Sequence, residues 1–222
     1  MEITNLAVLG LGSRSTLFYL SELNRLYNIV KGNYSTCPFI LLNINFNTIN
    51  VLLPNTSKEL DMVVKQYTDE IEKLQVEHVL IPNITLHETI DRLNINKKVH
   101  HPISLSIKKI KANHWKKVVL FGSLFSMHAS YIKNKFSENA IEWIVPSEED
   151  MQFLDVFRKQ VYNETETMED IEKFHTLIDI YSAKHPVVLA CTELSILKPK
   201  TSKNLLDMAT VQIEQAIQCI LK

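Results

Sequence analysis

The chain has 222 residues, 45% of them hydrophobic, and its 24 basic and 25 acidic side chains leave a formal net charge of −1. This balance excludes the broad positive field that attracts nucleic acid or anionic membrane surfaces, so we expect neither as a partner. No apolar stretch reaches the ~20 residues that span a bilayer, and no signal-peptide pattern opens the sequence.

Cysteines are few and widely spaced, at Cys37, Cys191 and Cys219. Neither a disulfide framework nor a metal cluster with short ligand spacing fits that distribution. The sequence therefore predicts a protein of the reducing cytoplasm that holds no metal.

Short apolar runs alternate with longer amphipathic stretches along the whole chain. In the first half they predict strands at 6–10, 39–43 and 78–81 and helices near 17–30, 58–74 and 86–93. In the second half they predict strands at 118–122, 141–145 and 187–190 and helices near 125–136, 151–162, 168–183 and 205–221.

This alternation is typical of parallel sheets covered by helices on both faces. We predict an α/β fold of two similar domains, each with a parallel sheet flanked by helices. The first domain is assigned to residues 1–98 plus 206–222 and the second to residues 99–205.

The loop after the first predicted strand reads Gly-Leu-Gly-Ser-Arg-Ser-Thr at 10–16. Its glycines permit a tight turn, and its hydroxyls and the following helix start could bind an anion. It lacks the third glycine of a dinucleotide fingerprint, and Asn43 and Asn45 stand where an acid would follow the second strand. A plain strand–helix turn or a small carboxylate site therefore fits better than a nucleotide site.

Cys191 directly follows the last predicted strand. A cysteine of this kind is most often a small buried hydrophobic residue. A thiol at a helix start, however, lies near unpaired backbone N–H groups that lower its pKa and favour the thiolate. The residues alone leave packing and catalysis equally open.

The segment Val-Val-Leu-Ala-Cys-Thr-Glu-Leu-Ser at 187–195 resembles the second-cysteine motif of the aspartate/glutamate racemase superfamily, where a strand ends in Cys-Thr-Glu-Leu-Pro. Four further segments are similar to parts of that family, in its order and spacing: 15–24 to its first helix, 43–46 to its Ser-Val-Asp-Phe segment, 122–127 to its Gly-Thr-x-x-Thr-Met turn and 144–149 to its strand-to-helix junction. The similarity covers nearly the whole chain.

The resemblance implies a cofactor-independent enzyme with its active site in the cleft between the domains, each of which offers one cysteine. One thiolate removes the α-proton of an amino acid, and the opposite thiol returns a proton on the other face. Backbone N–H groups and hydroxyls hold the carboxylate of the small amino or carboxylic acid substrate. A homodimer is also implied, since dimers are common in the family.

One catalytic position departs from the family pattern. The family's first-cysteine motif reads Pro-Cys-Asn-Thr-x-His, whereas residues 82–87 read Pro-Asn-Ile-Thr-Leu-His. Thr85 and His87 agree, but Asn83 stands in place of the thiol. A carboxamide cannot take a proton from carbon, although it can hydrogen-bond to a substrate. We therefore predict that Cys191 carries proton transfer, that Asn83 positions the substrate, and that His87 is a packing residue.

The substrate-binding residues are predicted from the resemblance and from their places after strands or at helix starts. They are Gly10, Gly12, Ser13, Arg14, Thr16, Asn45, Thr85, Ser123 and Thr192. Asn45 replaces a family aspartate and Ser123 a threonine, which indicates an altered specificity.

The resulting prediction is a cofactor-independent racemase or epimerase of an aspartate- or glutamate-like amino acid, acting from one face where the second thiol is missing. Two alternatives stay open. The chain could be a decarboxylase or other lyase in which the single Cys191 protonates an enolate, as in arylmalonate decarboxylases of the superfamily. It could also be a non-catalytic homologue that binds a small carboxylate.

Overall fold

The computed structural model describes residues 4–221, which form two compact units. The first unit contains the residues up to His101 and those from Gln212 onward, and the second is Pro102–Val211. The divisions fall after residues 101 and 211, rather than after 98 and 205 as in our assignment. Two short strands explain the difference, since one at 98–99 pairs within the first sheet and one at 205–207 pairs within the second.

The first unit is built on a four-stranded parallel sheet with strand order β2-β1-β3-β4. Its elements in chain order are β1 (Leu6–Gly10), α1 (Ser13–Lys31), β2 (Ile40–Asn43), α2 (Asn47–Asn50), α3 (Lys58–Glu72), β3 (His78–Leu80), α4 (His87–Ile90) and β4 (Lys98–Val99). Every residue of β1 and β3 is buried, which agrees with the apolar character of both segments apart from His78.

The second unit repeats the plan with strand order β6-β5-β7-β8, again all parallel. Its elements are α5 (Pro102–Ala112), β5 (Lys117–Phe121), α6 (Leu124–His128), α7 (Ser130–Ser137), β6 (Glu142–Ile144), α8 (Glu148–Asn163), α9 (Met168–Ser182), β7 (Val187–Leu189), α10 (Thr192–Ile196) and β8 (Leu205–Asp207). The last helix, α11 (Met208–Ile220), begins in this unit and ends in the first. Two parallel sheets flanked by helices confirm the predicted fold class.

Each unit has its own apolar core between its sheet and its helices. In the first unit, Leu9 and Val79 of the sheet pack with Leu60 of α3. In the second, Phe121 of β5 packs with Phe157 of α8 and Phe174 of α9. Burying an apolar side chain of this size contributes about 1.5–3 kcal/mol.

Side-chain caps fix where three of the long helices begin. Ser57, Ser147 and Thr167 each accept a hydrogen bond from the backbone N–H three residues on, at the starts of α3, α8 and α9. At α9 the Asp170 carboxylate accepts in return from the backbone of Thr167, which completes a capping box.

Some predicted elements are shorter or divided. The helix expected at 125–136 breaks at Ala129, whose extended backbone (φ −63°, ψ 148°) separates α6 from α7. The helix expected at 86–93 is the single turn α4, and the helix expected from residue 205 begins only after β8. Within residues 4–221, no helix is both long and apolar enough to cross a bilayer.

Candidate functional site

The turns after β5 and β7 lie side by side in the second unit. These strands are hydrogen-bonded neighbours, and the N–H of Ala190 donates to the carbonyl of Phe121 at 2.7 Å. A Cβ placed on Gly122 would lie 3.0 Å from Cβ of Ser126 and 3.4 Å from the carbonyl oxygen of Ala190. Glycine therefore lets the turn that carries Ser123 approach the backbone that leads into Cys191.

Cys191 is buried, with an extended backbone, at the start of α10. Its carbonyl oxygen lies 3.2 Å from the N–H of Ser195 and 3.1 Å from the Ser195 hydroxyl. That hydroxyl also lies 2.6 Å from Oδ1 of Asp207, the last residue of β8, and Lys198 donates to Oδ2 of the same carboxylate at 2.5 Å. This buried network fixes the first turn of α10, and with it the position of the thiol.

The thiol of Cys191 donates to the carboxylate of Glu193, with Sγ and Oε2 separated by 3.0 Å. The Thr192 hydroxyl donates to the same oxygen at 3.2 Å. Burial raises the pKa of Cys191 well above its ordinary value, and the charge of Glu193 raises it further, while the Arg158 charge and the N–H of Leu194 act in the opposite direction.

The prediction of a lowered pKa for Cys191 was therefore wrong. The single turn of α10 supplies too few backbone donors to outweigh desolvation and an adjacent carboxylate.

Asp155 of α8 connects that helix to the turn after β5, a role the sequence analysis did not assign. It is buried and accepts from the N–H of Leu124 at 3.0 Å, from Arg158 Nε at 2.7 Å and from Lys159 Nζ at 2.6 Å. Burial alone would raise the pKa of Asp155, but the bonds from Lys159, Leu124 and Arg158 outweigh it and lower that pKa. An acid followed by basic residues three and four positions on was the available signal.

Ser123, a predicted binding residue, caps α6. Its hydroxyl accepts from the N–H of Ser126 at 3.1 Å and lies 3.0 Å from the Ser126 hydroxyl. The side chain is half-buried, so it both orders the turn and borders the solvent.

In the first unit, the loop after β1 is ordered by its own hydroxyls. The N–H of Leu11 donates to Oγ1 of Thr16 at 3.0 Å. The predicted binding residue Thr16 is buried, and its hydroxyl accepts a hydrogen bond from the backbone of its own loop. A Cβ on Gly10 would lie 2.5 Å from Oδ1 of Asn43 on the neighbouring strand, which explains the glycine. Gly12 precedes α1, while Ser13 is exposed and Arg14 half-buried in its first turn.

Asn45 and Asn83 follow the strands on either side of β1. Asn45 is exposed, and its side-chain oxygen accepts from the N–H of Asn47 at 3.2 Å. Asn83 is half-buried, and its side-chain oxygen accepts from the N–H of Leu86 at 2.9 Å, next to the half-buried Thr85. The Asn83 oxygen thus caps a local turn, while its amide nitrogen carries the two N–H donors that could meet a substrate.

His87 is fully buried, with Nδ1 2.7 Å from the carbonyl oxygen of Asn83. Because a carbonyl only accepts, Nδ1 carries the proton. Burial, followed by the nearby His101, lowers the pKa of His87 to about 3. The ring is therefore neutral at pH 7 and takes up a proton only at far lower pH.

The predicted site residues thus form two groups, one at the carboxyl edge of each sheet. Cys37 belongs to neither, since it precedes β2 and is buried, and burial raises its pKa to about 12. In the first group are Gly10, Gly12, Ser13, Arg14, Thr16, Asn45, Asn83 and Thr85; in the second are Ser123, Cys191 and Thr192.

The resemblance of this chain to known proteins lies in its fold. No protein-family model matches the sequence, and no curated protein sequence matches it. Solved structures do match. A candidate Asp/Glu racemase from Yersinia pestis superposes with a TM-score of 0.84 at 17% identity, covering 99% of this chain and 100% of that one. The fold is that of the aspartate/glutamate racemase structures.

Two further structures agree. An aspartate racemase homologue from Pyrococcus horikoshii OT3 gives a TM-score of 0.81 at 19% identity, covering 99% of this chain and 100% of that one. The Picrophilus torridus aspartate racemase gives 0.80 at 15% identity, covering 99% of this chain and 94% of that one.

Proposed function

We propose that this protein is a cofactor-independent isomerase, a racemase or epimerase of an aspartate- or glutamate-like amino acid, in which Cys191 moves the α-proton. The observation that carries the proposal is the buried thiol at the carboxyl end of β7, hydrogen-bonded to a carboxylate 3.0 Å away, on a fold shared with aspartate racemase structures.

Glu193 is the residue that activates the thiol in this proposal. Its carboxylate already accepts the hydrogen bond from Sγ, so it can take the thiol proton and leave a thiolate beside Arg158 and the N–H of Leu194. The thiolate then removes the α-proton of the substrate, and the resulting thiol can return it or exchange it through Glu193 with solvent.

Asn83 contributes substrate binding rather than chemistry. Its side-chain oxygen caps the turn at Leu86, and its N–H donors are suited to a substrate carboxylate. The start of the 19-residue helix α1, which carries Arg14, is also suited to a carboxylate.

A single proton-carrying thiol has a consequence for stereochemistry. Removal and return of the proton by Cys191 on one face exchanges the α-hydrogen with solvent without inverting the centre. Inversion needs a second proton donor, and position 83, where the family motif has a cysteine, carries a carboxamide in this chain. The protein is therefore expected to exchange the α-hydrogen faster than it inverts the centre.

The test incubates the protein in deuterated water with L- and D-aspartate and L- and D-glutamate. We expect mass spectrometry to show deuterium at the α-carbon of at least one enantiomer, and chiral chromatography to show less inversion than exchange. Failure to exchange any of the four, with the protein folded, contradicts the proposal. Tight binding without exchange would instead support a non-catalytic carboxylate-binding protein.

One observation favours a second candidate. A thiol whose pKa is raised well above its ordinary value holds its proton at neutral pH, which suits donation to an enolate. A lyase that decarboxylates a substituted malonate and protonates the product from Cys191 would use that form. Release of carbon dioxide from an arylmalonate, without α-hydrogen exchange in amino acids, would establish it.

A further inference from the structure

A cluster of metal-ligating side chains lies in the first unit, apart from the residues discussed so far. One donor atom each from His78, His100 and Cys219 lies within 4.8 Å of the other two. His78 begins β3, whereas Asn83 follows the opposite end of the same strand. The cluster is therefore at the amino-terminal end of β3.

The backbone brings the two histidines together. Lys98 pairs with His78 in the parallel register of β3 and β4, and side chains two residues apart project on the same face of a strand. His100 therefore faces the same side as His78, and the two rings stack with centroids 5.0 Å apart.

Helix α11 supplies the thiol. Gln212, buried on this helix, donates to the carbonyl of His100 at 2.6 Å and accepts from the Tyr19 hydroxyl at 2.6 Å. Cys219 is seven residues farther along the helix, two turns on and on the same face. The Gln212 contacts thus seat α11 so that Cys219 faces the two imidazoles.

Both histidines have a polar atom that the protein leaves unsatisfied. Among the described residues, Nδ1 of His78 and Nε2 of His100 are buried and have no hydrogen-bond partner, and the two residues are only 8% and 6% exposed. A buried nitrogen without a partner costs free energy, so native structures seldom leave two of them adjacent. A bound cation would satisfy both.

We propose that His78, His100 and Cys219 form a binding site for a divalent cation that prefers imidazole and thiolate, with zinc as the metal that fits best. In a tetrahedral zinc site the ligand atoms lie about 3.3–3.7 Å apart. The three donor atoms here lie within 4.8 Å of one another, so small side-chain rotations would bring them to that spacing. Three protein ligands leave a fourth position for water.

The site has an entry path and a structural consequence. Cys219 is partly exposed, so a cation can reach the thiol from solvent. The ligands come from β3, from the residue after β4 and from α11, which returns to this unit after the whole second unit. Bound zinc would therefore hold α11 against the sheet. The sequence predicted no metal because these ligands are far apart along the chain.

Cobalt(II) is the probe that identifies the ligands. The metal-depleted protein is titrated with Co²⁺, and a thiolate-to-cobalt charge-transfer band with intense ligand-field bands is expected for a tetrahedral thiolate site. Cys219→Ser should abolish the charge-transfer band, and His100→Gln should weaken binding at least 10-fold. Cys37→Ser, Cys191→Ser and His114→Gln are the matched controls and should leave the spectrum unchanged.

Two measurements on the unmodified protein do not depend on the folding of a variant. Zn²⁺ at about 100 times its Kd should shift the unfolding equilibrium about 100-fold toward the folded state and raise the Tm. It should also protect Cys219, but not Cys37, from alkylation, as read by peptide mapping. No charge-transfer band in the folded protein, a band that survives Cys219→Ser, or equal alkylation of Cys219 with and without zinc would each overturn the proposal.

Discussion

The Sγ atom of Cys191 lies 3.0 Å from Oε2 of Glu193, and that carboxylate is the group that raises the pKa of the thiol most after burial. Arg158 acts on the same thiol with the opposite sign. The proposed chemistry depends on this balance, because the thiol must lose and regain a proton during each cycle.

Glu193→Gln should lower the pKa of Cys191, since it removes a negative charge next to the thiol. Arg158→Met should raise that pKa for the converse reason. The pH dependence of Cys191 alkylation, followed by peptide mapping, measures both shifts. Glu149→Gln, an exposed acid in the first turn of α8, is the control and should leave the profile unchanged. Shifts of the same sign in both variants would contradict the electrostatic account.

Asp155→Asn should destabilise the protein by about 1–3 kcal/mol, because it weakens the bonds from Leu124, Arg158 and Lys159 to a buried acceptor. Urea denaturation at pH 7 measures the change, and the exposed Asp179→Asn should stay within about 0.5 kcal/mol of wild type. Since folding lowers the pKa of Asp155, its stabilisation is present above the unfolded pKa and is lost as the pH falls through the folded value.

His87 should make stability depend on pH. Its pKa in the folded protein is about 3, so the unfolded chain binds the extra proton between pH 6.5 and 3 and stability falls as the pH falls through that window. From pH 7 to pH 5, wild type should lose about 2 kcal/mol more than His87→Asn, as measured by urea denaturation. His114→Asn, at an exposed position, should behave like wild type. Equal losses in wild type and His87→Asn would show that His87 is not held neutral.

The order and type of the main elements were predictable because most strands lie in apolar runs and three of the long helices begin at side-chain caps. Strand β4 was not predictable, because its two residues, Lys98 and Val99, are too few to show a pattern of alternating hydrophobicity. The break at Ala129 and the strand at Leu205–Asp207 depend on tertiary pairing that no local pattern records.

The candidate site was also predictable in part. Position along the chain placed Cys191 after a strand and Asn83 after another. The Cys191–Glu193 contact and the burial that sets the thiol pKa depend on side-chain packing, which is why the predicted sign of the shift was wrong. The contact of Asp155 with Leu124 and the His78–His100–Cys219 cluster join residues distant in sequence, so spacing could not reveal them.

Asn83→Cys should raise the rate of inversion relative to exchange, because it introduces a second thiol at the position where the family motif has one. Chiral chromatography and deuterium incorporation, measured on the same samples, give the ratio. The variant loses the cap on the N–H of Leu86, which costs about 1 kcal/mol. Asn83→Ser keeps an oxygen for that cap without adding a thiol, so it should not raise the ratio. An unchanged ratio in folded Asn83→Cys would contradict the proposed one-sided chemistry.

The most direct test of the central claim is the rate of α-hydrogen exchange in deuterated water by Cys191→Ala, compared with wild type and with Cys37→Ala, which removes a different buried thiol. Removing the proton carrier should slow exchange at least about 100-fold. Cys37→Ala should exchange at the wild-type rate, and circular dichroism should show both variants folded. Exchange that continues at the wild-type rate in Cys191→Ala would contradict the assignment of Cys191 as the catalytic residue.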